Sequence, residues 1–354
     1  MIKITNIIFL LMISYATYSS QNSIPVFDAK INVGNHKLHI VCQGRGSPTV
    51  ILEAGSGTDL STWSKVQPEI AKFTRVCSYS RAGLGKSSIP NNIIQFDALK
   101  TTQDLHTLLN NPLIRTNSPP PYILVGHSYG GLYVRNFLEQ YPQEVAGMVL
   151  VEATSGTMKM KDYGFSDELV NALIVVNEKK DAYLKSHVEV SENQLQAAKQ
   201  NPEIIAKIKV QSIGNDFLQK IDIFRKIESK DMDNLDKMNK KNPHLLGNKP
   251  LVVIIAEQNE MIHFVTRYRE LKYFVSAVIS KHQRGAFNAM LNLDLKKPIA
   301  LAKAEKIKML ALSTNSILKI VKKSGHNIHI DQPEIFIKSV KQVVFNIRGI
   351  NNEQ

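Results

Sequence analysis

The chain has 354 residues, with 44 lysines and arginines against 31 aspartates and glutamates, a formal charge of +13 and a pI near 9.5. Its length suits one large domain with an insertion. The lysines are spread throughout, many spaced i, i+4 from acids, and no basic stripe carries interleaved aromatics, so the charge reads as a solvated surface rather than a nucleic-acid site. A weak attraction to anionic membrane surfaces is compatible with that charge. Two isolated cysteines, Cys42 and Cys77, lack the paired spacing of a zinc site, so no metal or other cofactor is expected.

Residues 1–20 hold one early cation, Lys3, then an apolar stretch over 4–16 and small, hydroxylated residues. That pattern predicts a secretory signal peptide cut after Ala16 or a few residues later, and a secreted or periplasmic protein. The apolar core is too short to span a bilayer comfortably, and no other segment approaches a span of about twenty apolar residues.

Residues 29–33 and 36–42 flank a Gly34-Asn35 turn and read as a hairpin. Strands and helices then alternate: strand 48–52, helix 59–73, strand 75–79, helix 97–109 opened by Asp97, strand 122–125 and helix 132–140. Residues 145–151 and 251–256 are further strands, 317–321 is the last, and 333–345 is the closing helix. Such alternation specifies a mostly parallel sheet covered by helices on both faces. Residues 154–249 break the rhythm: they are polar, with apolar residues recurring at helical spacing and no convincing strand, and read as a helical cap inserted between two core strands. Two more helical stretches follow at 261–290 and 299–312. The expected organisation is a leader over 1–20, a core over 21–153 and 250–354, and the cap over 154–249.

The strand 122–125 runs into Gly126-His127-Ser128-Tyr129-Gly130-Gly131 and then into a helix. A serine flanked by glycines at a strand-to-helix turn is a nucleophile elbow, in which the strained turn lifts the hydroxyl clear of the sheet. Serine needs a base within hydrogen-bond reach, oriented by a carboxylate. His326, in Ser324-Gly325-His326 after the last strand, falls at the same sheet edge as Ser128, with His329 in reserve and His127 expected to pack. An oxyanion needs two preorganised donors. The turn Glu53-Ala54-Gly55-Ser56-Gly57 supplies the Ser56 N–H, and Tyr129 N–H is the second. Gly55-Ser56-Gly57 lacks the third glycine of a dinucleotide loop, and the run from Ser80 to Ser87 has serine where a phosphate-binding P-loop needs its first glycine. Arg81, Gly83 and Gly85 in that run read as a turn leaving a strand, with the Arg81 fork able to tie loops together.

Together these motifs resemble the alpha/beta-hydrolase superfamily, in its esterase, lipase and peptidase branch. The resemblance rests on the turn at 53–57, the Arg-x-Gly-x-Gly-x-Ser run at 81–87, the elbow, the run at 141–151 and Ser-Gly-His-x-Ile-His-x-Asp-Gln-Pro-Glu at 324–334. It departs from the usual pattern at Ser80, where an Asp commonly precedes the Arg, and at Ala54-Gly55, where His-Gly is usual. The resemblance implies a Ser128–His326–acid triad that cleaves a small acyl ester through an acyl-enzyme, with a peptidase or amidase, or a non-catalytic binding protein on the same scaffold, as alternatives. It also makes the strands of Cys42 and Cys77 neighbours, so a disulfide is expected there. The acid has two candidates. Glu152 ends the strand 145–151, where some lipase relatives carry their acid; the loop after the next strand, where most carry an Asp, has Asn259 at that place and Glu260 beside it as the alternative acid.

Overall fold

The computed structural model describes residues 24–90, 97–155, 244–257 and 296–350, together with positions 285 and 288. The expected leader, nearly all of the cap and of the helical stretch 261–290, and Asn259 and Glu260 lie outside the described residues.

Eight strands form one sheet among the described residues: β1 Val26–Asn32, β2 Lys37–Gln43, β3 Val50–Glu53, β4 Val76–Ser80, β5 Tyr122–His127, β6 Val145–Val151, β7 Leu251–Ala256 and β8 Ser316–Val321. Their order is β1-β2-β4-β3-β5-β6-β7-β8. β1, β2 and β4 pair antiparallel, and every later pairing is parallel. The helices are α1 Gln67–Ile70, α2 Ala98–Asn110, α3 Pro112–Arg115, α4 Gly130–Gln140, α5 Lys296–Lys308, α6 Ile328–Asp331 and α7 Pro333–Ile347.

The central strands are buried on both faces, as continuous apolar runs require in a parallel sheet. On β5, Leu124 packs into the cluster that holds Leu105 and Leu108 of α2 and Val134 and Phe137 of α4. Its neighbours Ile123 and Val125 face the opposite cluster, with Trp63, Ile70 and Phe336, Val340 and Val344 of α7. The two-residue period of the strand thus builds two cores, one per face. α2 begins where Asp97 accepts a hydrogen bond from the Lys100 N–H at 2.7 Å, an N-cap that satisfies one of the helix's unpaired donors.

One expected helix is broken. In place of a continuous helix over 59–73, the chain forms a 3-10 turn at Leu60–Trp63, capped by Asp59, and the short α1. Pro68 lacks the N–H that a continuous helix would need at that point. The helix expected over 299–312 begins earlier, as α5, and finishes in a 3-10 turn at Met309–Leu312.

Candidate active site

Ser128 lies between β5 and α4 with φ of +53°, in the left-handed region that a non-glycine residue adopts only when its surroundings hold it there. Its N–H donates to Val151 O at 3.0 Å, and its carbonyl accepts from Gly131 N at 3.0 Å and Thr154 N at 2.9 Å. The flanking glycines are required by close approach. A Cβ on Gly130 would lie 2.4 Å from Glu53 O, and one on Gly126 2.7 Å from Gly130 O, both backbone atoms that cannot move aside cheaply.

The turn after β3 lies against this elbow, since a Cβ on Gly55 would fall 3.1 Å from the Ser128 Cβ. Arg81, following β4, holds that turn: Nη1 donates to Glu53 Oε1 at 2.6 Å and to Ala54 O at 2.7 Å, and Nη2 donates to Gly55 O at 2.6 Å. The Thr58 hydroxyl donates to the same Gly55 carbonyl at 3.0 Å. A trans peptide sets its C=O and the following N–H in opposite directions, so anchoring Gly55 O turns the Ser56 N–H away from Arg81 and Thr58. Glu53 is fully buried; burial pushes its carboxyl up, while the Arg81 guanidinium and the Tyr79 hydroxyl, which donates to Oε2, pull it back. Glu53 and Tyr79 were not expected as site residues, and a strand-end glutamate together with the Arg-x-Gly-x-Gly turn at 81–85 is the signal that could have found them.

Glu152 follows β6 and is the second residue of the site with positive φ, +45°. Its carboxylate is 1% exposed. Oε1 accepts from Ala256 N at 2.6 Å, at the end of β7, and Oε2 lies 3.5 Å from His326 Nδ1. The same Oε2 accepts from the Lys306 ammonium of α5 at 2.6 Å. Burial pushes the Glu152 carboxyl up, but the bond to His326 and the Lys306 charge outweigh it and hold the group below the ordinary carboxylate value. Lys306 was missed in the sequence, where it is one lysine among many on a helical stretch.

His326 sits on the loop after β8. Asp331 Oδ2 accepts from Gly325 N at 2.9 Å, and Asn327 O accepts from Ile330 and Asp331 N at 2.8 and 2.9 Å, so the loop is closed on α6. His127, at the end of β5, donates through Nε2 to His326 O at 2.9 Å, which fixes the tautomer because a carbonyl only accepts. Burial, with His326 and His329 nearby, pushes His127 well below its ordinary value, so it stays neutral. His329 is buried against Trp63, with ring centroids 4.5 Å apart, and its Nε2 lies 2.8 Å from Thr62 Oγ1. Burial first, then His326, pushes it down to about 4. The reserve base therefore supports the loop from beneath. The structure thus brings together Ser128, Tyr129, the Ser56 turn, Glu152 and His326 at the carboxyl ends of β3, β5, β6 and β8. Cys42 and Cys77 stand apart from this group, joined by a disulfide between β2 and β4.

Residues 48–272 match a family described as the alpha/beta hydrolase fold. An AB hydrolase superfamily protein of Gibberella zeae (strain ATCC MYA-4620 / CBS 123657 / FGSC 9075 / NRRL 31084 / PH-1) is 24% identical over 306 residues, 85% of this chain and 87% of that one. A protein of Hormonema carpetanum called probable transporter efuK is 30% identical over 131 residues, and that match takes in 35% of this chain and only 18% of that protein. Among solved structures, 2-hydroxy-6-oxo-6-phenylhexa-2,4-dienoate hydrolase from Rhodococcus sp. strain RHA1 superimposes with a TM-score of 0.57 at 14% identity, over 91% of this chain and 99% of that one. With the family match covering more than half of its length and the sheet order and elbow described above, the chain belongs to the alpha/beta-hydrolase family.

Proposed function

We propose that the chain is an exported serine hydrolase that cleaves a small carboxylic ester through an acyl-enzyme, with no metal or cofactor. The observation that carries this reading is the approach of the buried Glu152 carboxylate to His326 Nδ1, on a loop tied by His127 to the elbow of Ser128. A carboxylate at Nδ1 leaves Nε2 of the same ring to serve the serine. In the first half-reaction the Ser128 Oγ attacks the acyl carbon while His326 takes its proton. The charge that develops on the carbonyl oxygen is held by the Ser56 and Tyr129 N–H groups. Collapse of the tetrahedral species breaks the ester C–O bond, and His326 returns its proton to the departing alcohol. Water then repeats the sequence on the acyl-enzyme, releasing the acid and regenerating Ser128. Residues 154–249 are assigned to a cap that shapes the acyl pocket. The leader pattern over 1–20 and the Cys42–Cys77 bridge support export.

The test is labelling by a fluorophosphonate probe, followed by a panel of esters of graded acyl length. Wild-type protein should react and Ser128→Ala should not, with turnover falling by on the order of a million-fold. An unlabelled wild type, or a labelled Ser128→Ala protein, removes the assignment.

A further inference from the structure

Lys306 is an unusual neighbour for a catalytic carboxylate. It is 4% exposed, comes from α5, more than 150 residues from Glu152 in sequence, and donates to the one Glu152 oxygen that also faces His326. The ammonium nitrogen lies 2.6 Å from Oε2 and Nδ1 of His326 lies 3.5 Å from it, so the two nitrogens are within about 6 Å of each other, a range over which charges strongly couple. The shorter contact belongs to the lysine.

We propose that Lys306 is a positioning residue for the triad, which fixes the Glu152 carboxylate in place and, as a resident cation, limits how strongly that carboxylate favours protonated imidazole. The inference rests on the Ser128–His326–Glu152 reading. With Oε1 held by Ala256 N–H and Oε2 by Lys306, the carboxylate cannot rotate away from the imidazole without giving up a buried bond. Glu152 and Lys306 neutralise each other, so a proton arriving on His326 meets a pair of small net charge rather than a bare anion. Among the described residues, the titratable groups around His326 include His127 from β5 and His329 from α6, both held neutral by burial, and Asp331 of α6, whose Oδ2 accepts from Gly325 N beside His326 at 2.9 Å. Lys306 of α5 is a fixed positive charge that acts on this histidine group.

The consequence is readable in the pH profile. Without the ammonium the imidazolium is better stabilised, so the acid limb of kcat/KM should move to higher pH by about one unit, tenfold in the proton equilibrium. Lys306→Gln retains a donor without the charge and should show that shift. Lys306→Met, which loses the donor too, should show it with an additional fall in kcat of about tenfold. Lys306→Arg restores the charge and should bring the limb back towards wild type. A Lys306→Gln enzyme with the wild-type profile overturns the inference, as does an Arg variant no closer to wild type than the Gln variant. If Lys306→Met does not fold, the Gln and Arg pair decides alone. Fluorophosphonate labelling of the unmodified enzyme is measured first: an unreactive wild type defeats the triad itself, whereas a labelled wild type with an unmoved acid limb in Lys306→Gln defeats only the role of the lysine.

Discussion

The least determined position in the sequence was the carboxylate, and at the scale of single residues it is the one the geometry constrains most. Glu152 has one oxygen on a backbone N–H and the other shared by a lysine and a histidine, all within a buried site. Replacing it by glutamine keeps size and hydrogen-bonding capacity but removes the charge that, in the proposed mechanism, favours the imidazolium formed when Ser128 loses its proton. Glu152→Gln should therefore lower kcat by roughly ten-thousand-fold on an activated ester while the protein stays folded. Near-normal turnover in a folded variant would assign the acid to Glu260 instead. The places of Ser128 after β5 and of His326 after β8, at one edge of the sheet, were legible because each is marked by neighbours in sequence, glycines in one case and a Ser-Gly loop after a strand in the other. Lys306 was not, because its partner is remote in the chain and nothing local distinguishes a buried lysine from a solvated one.

Elements converge on the site through their ends rather than their bodies. The turn after β3 carries Ser56, and it is Arg81, from the turn after β4, that holds it through Glu53, Ala54 and Gly55. A lysine there supplies one compact charge in place of a fork, and cannot reach three acceptors in fixed directions. Arg81→Lys should cost about 2–3 kcal/mol of stability, because Glu53 stays buried with its pairing impaired. It should also reduce kcat more than it raises KM, since the Ser56 N–H is proposed to act on charge that appears only in the transition state. Chemical denaturation and steady-state kinetics on one ester check both; unchanged kcat would separate Arg81 from the oxyanion site. The strands Val145–Val151 and Leu251–Ala256 could be delimited from sequence because both are unbroken apolar runs with polar flanks. The helix expected over 59–73 failed because apolar spacing reports which face is buried, and says nothing of the hydrogen bond that Pro68 cannot make.

Across the whole molecule, the sheet joins an antiparallel flange of β1, β2 and β4 to the parallel strands β5 and β6, whose ends carry Ser128 and Glu152. Cys42 and Cys77 are directly opposed in the β2–β4 ladder, both buried, with 35 residues of sequence separation. The loop they close contains β3, the Ser56 turn, Trp63 and α1, which together form one wall of the site and much of one core. Cross-linking its ends chiefly restricts the unfolded chain, and for a loop of this length the entropy model gives about 3–4 kcal/mol of stabilisation. The double variant Cys42→Ala/Cys77→Ala should lose about that much in denaturant unfolding, and reduction of the wild type should destabilise it in the same direction. Because the bond crosses neighbouring strands that the ladder already aligns, the variant should keep its turnover in the absence of denaturant. A loss below about 1 kcal/mol would mean that the unfolded segment is already compact without the bridge, and a loss of turnover in the folded variant would mean that the bridge also sets the geometry of the Ser56 turn.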